Sequence, residues 1–213
     1  MASELHSLFP TPVFTTNYPA EPQLYSFLKN QELMKKEKEV SNLYGELSND
    51  VRILRNSECK GLREFIIHNA NILAKEILGY KIETMVDVLS WVTIKRTGQS
   101  HIAHTHPNSV LSGVYYFDKN VESMPIIFMR KKIEGYNAIR IPIDIKNEST
   151  FCQDNYTLNP KQGDIVMFPS YLTHTVGLNT THMDRYSLAF NLMPKGGIGS
   201  VDELTHFFYA DAL

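Results

Sequence analysis

Two histidines separated by a single residue, His104 and His106, have the type and spacing of metal ligands. Residues two apart in an extended chain project from the same face, so both imidazoles point in one direction. Two imidazoles on one face supply part of a site for a borderline divalent cation such as iron or zinc. His101 points the other way if the strand is regular. The pattern is short, and its structural alternative is a pair of polar residues at the rim of a loop.

A third histidine, His174, follows a tight turn and a buried strand. The turn is the run at residues 160–163, and the apolar strand predicted after it spans Asp164–Phe168. We expect this histidine, just past the end of the strand, to add a third imidazole to the pair.

An arginine and a serine two residues apart, Arg185 and Ser187, open a further predicted strand eleven residues after His174. Asn191 shares their face of that strand, because side chains alternate between the two faces. A guanidinium binds a carboxylate through two hydrogen bonds, and a neighbouring hydroxyl adds a third. This face therefore predicts an anion site. The alternative is a surface ion pair between Arg185 and Asp184.

The elements that must position these residues are mainly strands. After Tyr80 the sequence consists of short β-like runs separated by turn residues, a pattern typical of a sandwich or barrel. The predicted strands span Thr84–Lys95, Ser109–Phe117, Pro125–Met129, Ala138–Ile145, Asn155–Leu158, Asp164–Phe168 and Tyr186–Leu192.

Two helices precede the strands in the prediction. Apolar spacing predicts a helix from Glu21 to about Glu39, and a second one from a cap at Ser57 to Gly79. We therefore predict one domain over residues 1–213, with a helical part at about residues 1–80 and a β core at about residues 81–194. The fold class is mainly β with flanking α-helices.

The order of these motifs, His-x-His, then a strand-end histidine, then Arg-x-Ser, resembles the 2-oxoglutarate/Fe(II) oxygenase superfamily between Trp91 and Asn191. The sequences of residues 104–116 and 8–13 resemble those of a bacterial and phage group of such oxygenases. That group is distantly similar to prolyl hydroxylases. The resemblance implies a double-stranded β-helix, which is a jelly-roll or cupin-like barrel.

The resemblance also implies a cofactor set and roles for the residues. Fe(II) would be bound by His104, His106 and His174, and 2-oxoglutarate would chelate it. Arg185 and Ser187 would bind the distal carboxylate of 2-oxoglutarate. The further co-substrate contacts that we predict are Asn191 and a tyrosine after the histidine pair, for which we choose Tyr115 over Tyr116. A core aromatic is the alternative for either tyrosine.

His106 departs from the superfamily pattern, because the carboxylate ligand of that pattern stands two residues after the first histidine. Either three histidines bind the iron, or a carboxylate from elsewhere completes the site. Three neutral imidazoles leave the centre one charge more positive and still leave three coordination positions open. The added charge favours an anionic co-substrate.

Three other functions compete with the oxygenase. The first is a cupin-like three-histidine metalloenzyme that does not use 2-oxoglutarate, such as a thiol dioxygenase or an isomerase. The second is a non-catalytic barrel that binds a metal or a sugar. The third is a structural barrel with incidental histidines. The anion site at Arg185 favours the oxygenase over the first.

Composition limits the partners. Among 213 residues the formal net charge is −2, which predicts neither nucleic-acid nor anionic-membrane binding, and no apolar run is long enough to span a bilayer. Two cysteines without metal spacing favour a reducing cytoplasm. We expect a peptidyl or small-molecule substrate, met partly by the segment from Arg130 to Gln153. Barrels with helical flanks often dimerise, so a homodimer is a further expectation.

Overall fold

The protein is described by a computed structural model that covers residues 3–35, 37–120, 124–130, 153–200, 202 and 205–209. The helices are α1 (Pro22–Lys29), α2 (Lys38–Tyr44) and α3 (Lys60–Asn71). The strands are β1 (Phe14–Asn17), β2 (Glu46–Leu47), β3 (Met85–Lys95), β4 (His101–His104), β5 (Leu111–Tyr115), β6 (Ile126–Met129), β7 (Asn155–Leu158), β8 (Asp164–Pro169), β9 (His174–Val176), β10 (Arg185–Pro194), β11 (Gly196–Ile198) and β12 (Phe207–Tyr209).

Two antiparallel sheets form the body of the fold. The larger has six strands in the order β1-β8-β5-β10-β3-β2, and the smaller has four in the order β4-β9-β6-β7. Val166 and Phe168 of the larger sheet, and Tyr116 directly after β5, pack against Ile126 and Phe128 from the smaller sheet. The sheets therefore face each other, as the predicted barrel requires, and β11 and β12 form a separate pair.

The outer face of the larger sheet is covered by helices. Leu28 of α1 and Ile66 of α3 belong to the same buried cluster as Leu188 and Phe190 of β10. Alternation along β10 sends these two residues toward the helices and sends their neighbours toward the smaller sheet. Within the described residues, no helix has the length and apolar character needed to cross a bilayer.

The helix predicted from Glu21 to Glu39 is wrong in length. Helix α1 ends at Lys29, and the chain then runs beside β2, where Leu33 forms a bridge with Ser48. Pairing with the sheet edge satisfies backbone groups that a longer helix would have used internally. The first 80 residues also contribute β1 and β2 to the larger sheet, two strands that the prediction of a helical part at about residues 1–80 did not include.

The second predicted helix is present with altered geometry. A short 3-10 turn precedes α3, and a π-helical turn from Ile72 to Ile77 follows it. A π turn is wider than an α turn and shifts the apolar stripe, so Ile77 is 52% exposed although the pattern placed it in the core. Ser57 does not cap the helix, because its hydroxyl donates to Glu58.

The strand predictions agree with β3, β5, β6, β7, β8 and β10 to within a few residues at each end. The predicted strand Ala138–Ile145 lies outside the described residues. Strands β4 and β9 were not predicted as strands, and they are the two that carry His104 and His174. Both strands are short, so they contain too few residues to show an alternation of polar and apolar side chains.

Gly113, in the middle of β5, leaves room for the ring of Phe190. A Cβ atom at this position would lie 2.3 Å from Cζ of Phe190 and 2.8 Å from the carbonyl oxygen of Val166. We expect Gly113→Ala to lower the free energy of unfolding by about 1–3 kcal/mol, the usual cost of overpacking, as measured by thermal denaturation. Gly177→Ala is the control, because open space surrounds Gly177. Equal loss in both variants would contradict this packing.

Candidate metal centre

Three histidine side chains converge between the two sheets. His104 ends β4 and His174 begins β9, and the two are direct partners across the antiparallel pair. His106 follows two residues later, held by a hydrogen bond of 3.0 Å from its backbone N–H to the carbonyl of Ser170. One nitrogen from each imidazole lies within 4.8 Å of the others. Among the described residues, no carboxylate joins this group.

The tautomers of His104 and His174 follow from their backbone contacts. Nδ1 of His104 lies 2.8 Å from the carbonyl oxygen of Ile102, and Nδ1 of His174 lies 2.9 Å from that of Leu172. A carbonyl oxygen only accepts, so each Nδ1 carries the proton and donates. The Nε2 atom of each ring is therefore left with a free lone pair.

His106 is held in the same tautomer by a side chain. Its Nδ1 lies 2.6 Å from Oδ1 of Asn191, which also accepts a hydrogen bond of 2.9 Å from Ser112. Ser112 in turn contacts Ser170 at 2.8 Å between hydroxyl oxygens. This buried network fixes both the plane of His106 and the position of its proton.

The centre has the electronic character of a cation site. Burial lowers the pKa of all three imidazoles, that of His174 to about 3, so all are neutral at neutral pH. The Nε2 atoms of His104 and His106 are 3.0 Å apart with no proton between them. Lone pairs at this distance repel each other unless a cation lies between them. A neutral imidazole is also the form that binds a metal, so the three rings fit a divalent ion.

Arg185, at the start of β10, is buried with unused hydrogen-bond donors. Its side chain is 2% exposed, its guanidinium lies 5.1 Å from the centroid of the Tyr116 ring, and its Nε and Nη2 atoms have no partner. Burial lowers the pKa of this guanidinium, because desolvation of a cation costs more than the nearby Tyr116 and Asp118 offset. The surface ion pair considered for it is wrong, because Asp184 pairs with Arg96 at 2.7 Å. These donors fit an anion.

Ser187 and Asn191 share the inward face of β10 with Arg185, as the alternation predicted. All three are buried, and Ser187 is the cross-strand partner of Thr93 in β3. The structure gives Asn191 a role that differs from the predicted co-substrate contact, because its oxygen accepts hydrogen bonds from His106 and Ser112.

Tyr115 faces away from the centre, which corrects the choice of this tyrosine as a co-substrate contact. Its hydroxyl donates to the carbonyl oxygen of Tyr18 at 3.3 Å, and its ring belongs to the cluster under the helices. Tyr116 projects to the inner face instead, and its buried hydroxyl has no partner. A shift of one residue along the strand exchanges the residues that point inward with those that point outward. The sequence alone did not determine which of the two tyrosines points inward.

Three further residues at the centre were not assigned a role from the sequence. Trp91 stacks on His106 with ring centroids 6.2 Å apart. His101, expected to point away, stacks on His104 because β4 is irregular between these two residues. Lys95 is buried behind His101. Only alternation and spacing were available as signals, and an irregular strand defeats both.

Comparison with known proteins finds one matching family model and many solved structures of similar fold. Residues 89–191 match the family model described as "Putative 2OG-Fe(II) oxygenase". No curated protein matches the sequence.

Solved structures with the double-stranded β-helix fold are similar over most of the chain. A Pseudomonas putida prolyl-4-hydroxylase has a TM-score of 0.56 at 13% identity, covering 86% of this chain and 94% of its own. The α-ketoglutarate-dependent carbocyclase SnoK from nogalamycin biosynthesis has a TM-score of 0.57 at 12% identity, covering 87% and 81%. A Trichoplax adhaerens prolyl hydroxylase in complex with a hypoxia-inducible-factor peptide has a TM-score of 0.55 at 12% identity, covering 85% and 83%.

The contact between Asn191 and His106 predicts a loss of metal affinity when the amide is removed. We expect Asn191→Ala to weaken Zn(II) binding by about 10–100-fold, as is typical for a residue that orients a metal ligand. Asn191→Asp keeps an acceptor for Nδ1 and should retain the affinity. Competition with a chromophoric chelator measures both.

The matched control is Asn69→Ala, which removes a buried amide that donates to the carbonyl of Phe65 in α3, away from the histidines. Wild-type affinity in Asn191→Ala would show that His106 does not depend on this hydrogen bond.

Proposed function

We propose that this protein is a 2-oxoglutarate/Fe(II)-dependent hydroxylase that acts on a peptidyl or small-molecule substrate, a proposal supported by the match of residues 89–191 to the oxygenase family model. His104, His106 and His174 bind the Fe(II). When bound, Fe(II) and 2-oxoglutarate together activate O2, so that 2-oxoglutarate leaves as succinate and CO2 and a C–H bond of the substrate becomes C–OH. The observation that carries the proposal is the convergence of three imidazoles, together with a buried arginine that has unused donors and lies on the same strand face as Asn191, the support of His106.

Arg185 binds the distal carboxylate of the co-substrate in this proposal. Its two unpartnered nitrogens can donate to the two oxygens of one carboxylate, the geometry in which arginine binds anions most strongly. The Tyr116 hydroxyl, also buried and unpartnered, supplies a further donor. Ser187, two residues along the same face, adds the hydroxyl predicted from the sequence.

The walls of the centre around His174 are apolar, with one phenylalanine from each sheet. The ring of Phe168 lies 4.6 Å from that of His174, and Phe128 lies 6.3 Å from it. Both phenylalanines belong to the cluster between the sheets, together with Tyr116. Exclusion of water by these side chains strengthens the contact of Arg185 with an anion and protects a reactive oxidant from side reactions.

The proposed substrate class rests on the fold and on an aromatic side chain at the centre. Trp91 is partly buried against His106 and offers an aromatic surface to a substrate. Similar folds include enzymes crystallised with a peptide and with the small molecule nogalamycin RO. The segment from Arg130 to Gln153, expected to meet the substrate, lies outside the described residues from 131 to 152. A cytoplasmic location is part of the proposal, in keeping with the free Cys59.

The buried arginine argues against the cupin-like alternative. A three-histidine enzyme that does not use 2-oxoglutarate has no need for a desolvated guanidinium whose Nε and Nη2 lack partners. The non-catalytic and purely structural barrels meet the same objection, because neither has an anion to accept hydrogen bonds from Nε and Nη2 of Arg185.

Binding of 2-oxoglutarate to the iron-loaded protein tests the proposal without knowledge of the substrate. Anaerobic addition of 2-oxoglutarate to the Fe(II) protein should produce a visible metal-to-ligand charge-transfer band. We expect His104→Ala or His174→Ala to abolish the band, and Arg185→Gln to require about 10–100-fold more 2-oxoglutarate, the value of a hydrogen-bonded charge pair. Iron binding without a band would exclude 2-oxoglutarate chemistry and favour the cupin-like alternative.

The two adjacent tyrosines provide a matched pair of variants. We expect Tyr116→Phe to raise the dissociation constant of 2-oxoglutarate roughly 10-fold, since a hydrogen bond to a charged group contributes about 1.5 kcal/mol or more. Tyr115→Phe removes a hydroxyl bonded to the Tyr18 carbonyl and should leave the constant unchanged. Titration of the charge-transfer band measures both. An effect confined to Tyr115→Phe would reverse the assignment of the two faces.

A further inference from the structure

Lys95, the last residue of β3, carries a buried ammonium that is held by several acceptors. Its side chain is 1% exposed. The Nζ atom donates to the backbone carbonyl of Tyr44 and to that of Ser100 at 2.8 Å, and it lies 3.1 Å from Nδ1 of His101. The ammonium thus ties the end of α2 to the start of β4.

The contact with Lys95 determines the tautomer of His101. An ammonium has donors only, so Nδ1 of His101 accepts and the imidazole proton is on Nε2. This is the opposite of the arrangement in the three converging histidines, whose protons are on Nδ1. His101 is also outside the group of nitrogens that lie within 4.8 Å of one another. Its role therefore differs from that of a ligand.

Gly45 provides the space for the ammonium. Its φ of +75° suits glycine, and a Cβ atom there would lie 2.7 Å from Nζ of Lys95 and 2.6 Å from the carbonyl oxygen of Ile94. Any larger residue would displace the lysine. Lys95 can therefore bury its ammonium here only because residue 45 is a glycine.

The ring of His101 lies flat on the ring of His104. The centroids are 4.3 Å apart with an interplanar angle of 16°, and the ring of Tyr44 meets His101 edge-on from the side at 5.7 Å. His104 has one fixed hydrogen bond, to the carbonyl of Ile102 two residues earlier in an irregular strand. One such bond sets the direction of Nδ1 but leaves the ring free to rotate about it. Stacking removes that freedom.

We propose that Lys95 and His101 are positioning residues for His104. Lys95 holds His101 in one orientation and one tautomer, and the stacked ring of His101 then fixes the plane in which Nε2 of His104 faces the centre. The inference rests on the proposed role of His104 as a metal ligand. His104 has only one other support, the hydrogen bond to the carbonyl of Ile102. The stacked His101 therefore gives the His104 ring a fixed orientation, as the Asn191 network does for His106.

The tautomers can be measured in the metal-free protein. Long-range 1H–15N correlation spectra distinguish Nδ1–H from Nε2–H imidazoles. We expect His101 to be the Nε2–H tautomer, and His104, His106 and His174 to be Nδ1–H. Lys95→Met should turn His101 into a mixture of tautomers and leave the other three unchanged. An Nδ1–H tautomer of His101 in the wild type would overturn the inference.

Metal binding tests the support of His104 directly. Co(II) is the probe, because its visible d–d spectrum reports ligand geometry as well as affinity. We expect His101→Ala to weaken Co(II) binding by about 10-fold or more and to alter the spectrum. His101→Phe keeps a flat ring against His104 and should stay within about 3-fold of wild type, a rescue that a general loss of stability would not give.

The control for this experiment is His182→Ala, which removes an exposed imidazole outside the group of converging histidines. If His101→Ala binds Co(II) with wild-type affinity and spectrum, the positioning role of His101 is refuted and the assignment of the three ligands is unaffected. Absence of Co(II) binding by the wild-type protein would instead refute the assignment of the three ligands, and the inference with it. If His101→Ala does not fold, His101→Phe and the wild-type tautomers still decide the question.

Discussion

The alternation of side chains along β10 is the constraint on which the rest of the structure depends. This strand lies inside the larger sheet, paired with β3 on one edge and β5 on the other. Leu188 and Phe190 point to the helices and complete the main core. Arg185, Ser187 and Asn191 point the other way, toward the smaller sheet and the histidines. A single strand therefore anchors the hydrophobic core and orients the polar centre, so a shift of its register by one residue would destroy both.

The two buried cations of the inner face are cross-strand partners, yet they are in different states. Lys95 and Arg185 stand opposite each other in the register of β3 and β10. The lysine is satisfied by two carbonyls and an imidazole, which makes it a structural element. The arginine keeps Nε and Nη2 without partners. A buried cation with unused donors is stable only if another part of the fold offsets its desolvation, and it is ready to bind an anion without any rearrangement. This difference separates Lys95, a structural cation, from Arg185, the proposed anion-binding residue.

The sequence predicted the parts of the fold and of the site that depend on simple alternation. His104 and His106, and Arg185 and Ser187, lie two residues apart, and each pair shares a face in the structure. The sequence could not decide between Tyr115 and Tyr116, because strand phase depends on where β5 begins.

Other features were not predictable because they arise from tertiary contacts. The irregularity in β4 turns His101 toward His104, and the π turn after α3 moves Ile77 out of the core. The early end of α1 results from pairing of the following residues with β2. Each depends on a partner that is distant in sequence, which no local pattern contains.

His106 stands where the superfamily pattern has a carboxylate, and the structure shows how the change is accommodated. Its Nδ1 proton is accepted by the neutral amide of Asn191 rather than by an acid, so neither the proposed ligands nor this support offsets the charge of a divalent ion. The buried ammonium of Lys95, which contacts His101 behind His104, adds to it. In the proposed function, a dianionic co-substrate would bind the metal at one end and Arg185 at the other, and would neutralise both positive charges. We therefore expect the absent carboxylate to strengthen co-substrate binding, because 2-oxoglutarate itself supplies the missing negative charge.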